Sequence, residues 1–119
     1  MSTATLDTMP TTWAELDREV TAPCVAVTIG HNTTAMRSVV NRGQCAFGIR
    51  LHGHLIALVY PEAVFVRDCG YVTTTTYDRL KRLVAPFGAT VYRRKGAGMI
   101  VLRDGQTLAI GSGNWTWAA

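Results

Sequence analysis

The sequence predicts one small α+β domain, mainly antiparallel β-sheet with about six to eight short strands, one main helix near 76–85 and a short N-terminal helix. Three observations carry this reading. The chain has 119 residues, 48% of them hydrophobic, which suits one compact core and no more. Its apolar residues mostly alternate in short runs cut by Gly, Pro and Asn, the pattern of half-buried strands joined by tight turns. Only one long segment carries an apolar stripe at helical spacing.

Residues 1–11 are Thr-rich and polar with Pro10, and read as a flexible leader to a domain spanning 12–119. Thr12 and Glu15 have the spacing of a capping box, and Trp13, Leu16 and Val20 fall on one side of a two-turn helix. Pro23 ends it. Strand-like alternation follows in Val25, Val27 and Ile29, and His31-Asn32-Thr33-Thr34 makes a polar loop. Ala35 to Val40, Cys45 to Leu51 and Leu55 to Tyr60, separated by Asn41-Arg42-Gly43 and Gly53, predict an antiparallel meander. Ala63 to Arg67 reads as a further strand.

Tyr77, Leu80, Leu83, Val84 and Phe87 place one apolar stripe along the main helix, with Thr75 or Thr76 as N-cap, Asp78 in its first turn and Pro86 with Gly88 at its end. Arg79, Lys81 and Arg82 are expected on its polar flank. Ala89 to Arg93, Met99 to Arg103 and Thr107 to Ile110 then form hairpins. The tail carries Trp115 and Trp117, and is expected to fold back onto the domain or onto a partner. A homo-oligomer is, separately, among the assemblies expected of the chain.

The apolar runs are far shorter than the roughly 20 residues a membrane helix needs, so no membrane association is expected. The first residues lack the basic-then-apolar order of a secretory signal, so a cytoplasmic location is expected. Cys24, Cys45 and Cys69 lack a Cys-x-x-Cys pair and are expected as buried packing residues.

Net charge is +4, from twelve Lys and Arg against eight Asp and Glu, and it is unevenly placed. Residues 67–103 hold eight basic and two acidic residues, a local +6. That concentration is the footprint of an anionic partner, set against the plainer reading of a solvated surface.

Three groups of residues supply candidate chemistry. Thr74, Thr75 and Thr76 enter a basic helix, where N–H groups left unpaired at the helix start, hydroxyls, and Arg79 and Arg82 could hold phosphate. Asn32, Thr33 and Thr34 with Arg37 form a second polar loop, which would line the same pocket if both loops met at one sheet end. Tyr92, Arg93, Arg94 and Lys95 put three cations and an aromatic ring at a hairpin tip suited to a nucleic-acid backbone. Each has a plain structural alternative: threonines favour strands and caps, and charged turns are soluble.

His52-Gly53-His54 resembles a two-imidazole chelate but lacks a third ligand, so no metal and no cofactor is assigned. His52 also invites comparison with phosphoesterases built on paired His-x-Thr or His-x-Ser motifs, but position 54 is His, and His31-x-Thr33, which fits the bare pattern, falls in a loop; His52 is the catalytic candidate should the protein be an enzyme. The absence of a phosphate-binding Gly-Lys-Ser/Thr loop, of a Gly-x-Ser-x-Gly elbow and of a close carboxylate pair argues against the usual nucleotidases, serine hydrolases and glycosidases.

The motifs Asn32-Thr33-Thr34 with Arg37, Leu51-His52-Gly53, Gly70-Tyr71-Val72-Thr73-Thr74-Thr75-Thr76 with Arg79-Leu80, and Tyr92-Arg93-Arg94-Lys95-Gly96 resemble a group of small bacteriophage proteins, chiefly of actinobacterial phages. His54 stands where the group prefers Thr, and Tyr77-Asp78 where a Lys often comes first. The group has no assigned activity, so the resemblance implies a phage origin and an infected bacterial cytoplasm. It favours a non-enzymatic accessory protein that binds nucleic acid or sequesters a nucleotide signal, countering host defence. An inhibitor that binds a host or defence protein and a His-dependent phosphoesterase are the alternatives.

Overall fold

In the computed structural model, residues 9–22, 24–40, 44–94 and 98–118 are described. The expected α+β class is found: two α-helices, one 3-10 turn and nine short strands among these residues. No helix among them is long and apolar enough to cross a membrane. The chain divides into two compact units, Met1–Pro61 and Glu62–Ala119.

The first unit begins with helix α1, Trp13–Glu19. Thr12 is its N-cap in extended backbone, accepting from the Glu15 N–H at 3.1 Å, while Glu15 Oε1 accepts from the N–H groups of Thr11 and Thr12 at 3.1 Å each. The capping box is therefore complete, and Leu16 is fully buried. Those backbone bonds, with the Thr12 hydroxyl and the nearby Arg18 charge, hold the Glu15 carboxyl below its ordinary value against a smaller opposing effect of burial. A carboxylate depressed in the folded state contributes stability that is complete above its unfolded value and is lost as pH falls through its folded value. The melting-temperature advantage of wild type over Glu15→Gln is accordingly expected to be largest at neutral pH and to shrink on acidification. An advantage independent of pH would contradict this.

Strands β1 (Val27–Gly30), β2 (Thr33–Val40), β3 (Gln44–Leu51) and β4 (His54–Val59) form the expected antiparallel meander. Ala35, Ile49 and Ala57 pair in register across it, and all three are buried. β3 and β4 are joined by His52-Gly53, both at positive φ (51° and 83°), the type I′ geometry that matches strand twist. The Asn41-Arg42-Gly43 turn lies outside the described residues.

Helix and meander are locked by Arg37. Its Nε donates to the Val20 carbonyl at 3.0 Å, and its Nη2 donates to the Asp17 carbonyl at 3.1 Å and to the Asp17 carboxylate. A cation here also suits the negative end of the helix dipole. Phe47, the cross-strand partner of Arg37, lies beneath the guanidinium at 4.8 Å and meets Trp13 edge-on at 5.8 Å.

In the second unit, β5 (Val64–Val66) pairs antiparallel with β9 (Thr116–Trp117), so the tail does fold back. Two guanidiniums stack on its tryptophans: Arg67 over Trp115 at 4.2 Å and Arg103 over Trp117 at 3.9 Å. Helix α2 runs Thr74–Val84. Its N-cap is Thr73, not the expected Thr75 or Thr76, because the chain is still extended at Thr73 and its Oγ1 accepts from the Thr76 N–H at 3.2 Å. The earlier start leaves Asp78 outside the first turn. The 3-10 turn Ala85–Phe87 contains Pro86, and Gly88 ends it in the left-handed conformation.

The buried side of α2 is Thr76, Arg79, Leu80, Leu83 and Val84, with Tyr77 at its margin rather than at its centre. Strands β6 (Thr90–Arg94), β7 (Gly98–Arg103) and β8 (Gln106–Ala109) make a three-stranded antiparallel sheet in that order. Asp104-Gly105 turns β7 into β8 at positive φ. Of the cysteines expected to be buried, Cys24 is exposed, because the chain turns there at φ 59° before β1 begins, and Cys69 is half-buried in a turn.

Candidate anion-binding site

The two units differ in charge. Residues 1–61 hold four basic and four acidic residues, whereas 62–119 hold eight basic and four acidic, so the whole net +4 belongs to the second unit. Two of its acids are engaged locally. Asp68 is buried and accepts from the Gly70 N–H at 2.8 Å, and Asp78 accepts from Arg79 and Arg82 at 3.1 Å each.

The predicted helix flank is thereby divided. Arg79 is only 3% exposed, so it belongs to the packed side of α2 and not to the solvent-facing flank expected of it. Arg82 is half-buried, one turn beyond Asp78. The threonine run divides as well. Thr76 is buried with its hydroxyl 3.1 Å from that of Thr73, Thr75 is half-buried, and Thr74 is exposed at the first helical position.

Thr74 is where helix and hairpin come together. Its Oγ1 accepts a hydrogen bond from Arg93 Nη1 at 2.9 Å, which holds an exposed guanidinium against the first turn of α2. Backbone N–H groups and the positive dipole end are presented at that turn, and no acidic side chain occupies it. Tyr71 and Val72, just before the cap, are exposed large side chains. Neither is among the site residues expected from the sequence, where they stand only within the Gly70–Thr76 motif, although a tyrosine after a turn glycine is a visible signal. Of the remaining tip residues, Tyr92 is exposed, the backbone of Arg94 closes β6, and Lys95 lies outside the described residues.

The other candidates belong to the first unit. Thr33 is buried, its hydroxyl donating to the His31 carbonyl at 2.9 Å, and Thr34 is half-buried in β2. Arg37 clamps α1. Asn32 and His52 do come together, since the His52 N–H donates to the Asn32 carbonyl at 2.9 Å and ties two neighbouring turns. His52 and His54 flank Gly53 in a reversing turn, rather than alternating along a strand, and no group of three His, Cys, Asp or Glu among the described residues could hold a metal ion.

Fold and charge together define a small α+β protein whose second unit carries a basic, partly aromatic surface beside a helix start. The chain matches the model of the family described as Kyanoviridae Gp96 protein over residues 23–116, and it belongs to that family. This is a family of phage proteins, so the phage origin stands, with a cyanophage family in place of the expected actinophage group. No curated protein and no solved structure matches the chain.

Proposed function

We propose that this phage protein is a non-enzymatic accessory protein that binds an anionic ligand, nucleic acid or a nucleotide, through residues 62–119. The observation that carries the reading is the Arg93 guanidinium, exposed yet held by Thr74 at the start of α2, in the unit that contains all the net positive charge. A cation fixed before binding loses less side-chain entropy when a phosphate arrives, and helix N–H groups add donors of the same sign. Such binding suits a protein that occupies host nucleic acid or removes a nucleotide signal used in host defence.

The test is fluorescence anisotropy with a labelled oligothymidylate across a salt series. Affinity is expected to fall as salt rises, with a slope set by the number of phosphates contacted. Arg93→Ala should weaken binding by about 1.5 to 3 kcal/mol, the value of a hydrogen bond to a charged group, and leave the fold intact. Equal affinity in wild type and Arg93→Ala would contradict the proposal. A thermal shift with free nucleotides but no oligonucleotide binding would make the ligand a nucleotide.

A further inference from the structure

The three-stranded sheet β6–β7–β8 has two unlike faces. Val91, Met99 and Val101 are buried on the side where α2 packs. The opposite face carries Thr90, Tyr92, Ile100, Leu102, Thr107 and Ala109 by strand alternation and register. All six are half-buried or exposed, and none bears a carboxylate. Tyr92 is 48% exposed, with Ile100 directly across from it and Ala109 beyond.

β6 is one of the two edge strands of this sheet, and consecutive side chains on a strand leave from opposite faces. Arg93 therefore reaches back to Thr74 while its neighbour Tyr92 projects onto the open face. The edge thus offers a fixed cation on one side and a flat aromatic ring, floored by aliphatic side chains, on the other. A ligand that uses both must carry an anionic backbone and a separate planar apolar group one unit away. Single-stranded nucleic acid has that chemistry, whereas in a duplex the base faces are already stacked on each other.

We infer that the ligand of the proposed site is single-stranded nucleic acid, its backbone crossing the β6 edge at Arg93 and one base stacking on Tyr92 over the open sheet face. The inference rests on the anion-binding reading and adds the ligand class to it. The charge of the unit complements a polyphosphate backbone, and stacking on one ring is tolerant of base sequence.

The experiment measures binding of oligothymidylate, oligouridylate and a duplex of equal length to the full chain and to Tyr92→Phe, Tyr92→Ala and Arg93→Ala. Both single strands are expected to bind more tightly than the duplex. Tyr92→Ala should lose about tenfold or more in affinity, the value of one stacked base, while Tyr92→Phe stays near wild type. An unchanged thermal melt of Tyr92→Ala would confirm that an exposed ring, not the fold, was removed. Equal affinity for duplex and single strand, with Tyr92→Ala unaffected and Arg93→Ala weakened, would overturn the stacking inference and leave the anion site standing. Failure of every oligonucleotide and of free nucleotides to bind would remove the anion site itself.

Discussion

Phe47→Ala is expected to destabilise the protein by about 3 to 5 kcal/mol, the range for a large aromatic removed from a core. Phe47 is fully buried at the centre of the first unit, paired across the sheet with Arg37 and edge-on to Trp13. Its loss leaves a cavity and also removes the ring beneath a guanidinium that clamps the end of α1. The effect should therefore exceed that of removing an equal volume from an aliphatic site. Equilibrium denaturation would measure it, and a loss below about 1 kcal/mol would mean that α1 and the meander do not share a core.

Leu80→Ala should cost about 2 to 5 kcal/mol. Leu80 is fully buried on the packed side of α2, one helical turn from Leu83 and Val84, and α2 lies against β6. The mutation should also weaken oligonucleotide binding in proportion to the population unfolded, because α2 and β6 together hold Thr74 against Arg93. Full stability in Leu80→Ala would place the apolar stripe on the wrong side of the helix.

These two residues illustrate what could be read from the chain. Leu80 stands in a periodic pattern, and period alone assigned its burial. The Thr12–Glu15 box and the strands between Ala35 and Val59 were equally local, each signalled by residues a few positions apart, whereas Thr33 and Thr34, expected in a polar loop, open β2 by pairing with Leu51 and Arg50. Arg37 shows the limit of such signals. In sequence it is a cation beside a polar loop, whereas in the fold it caps the carbonyls of a helix that precedes it by a whole strand. Arg67 and Arg103 found Trp115 and Trp117 in the same non-local way, and the short strand β9 owes its existence to pairing with β5 rather than to its own residues.

The candidate site was legible in outline only. The charge excess of residues 67–103 points to it but sets Arg79 beside Arg93, and burial separates them: Arg79 packs against Asp78 within the fold, and Arg93 is held at the surface. Which hydroxyl would hold which guanidinium follows from β6 lying against α2, a long-range contact that no spacing announces.

Amide chemical-shift mapping of the isotopically labelled protein during titration with oligothymidylate measures the location of the site directly. The largest perturbations are expected at Thr73 to Thr76 and at Tyr92 and Arg93, fading as salt is added. Perturbations confined to residues 31–33 and 52–54, or unaffected by salt, would contradict an anion site at the junction of α2 and β6.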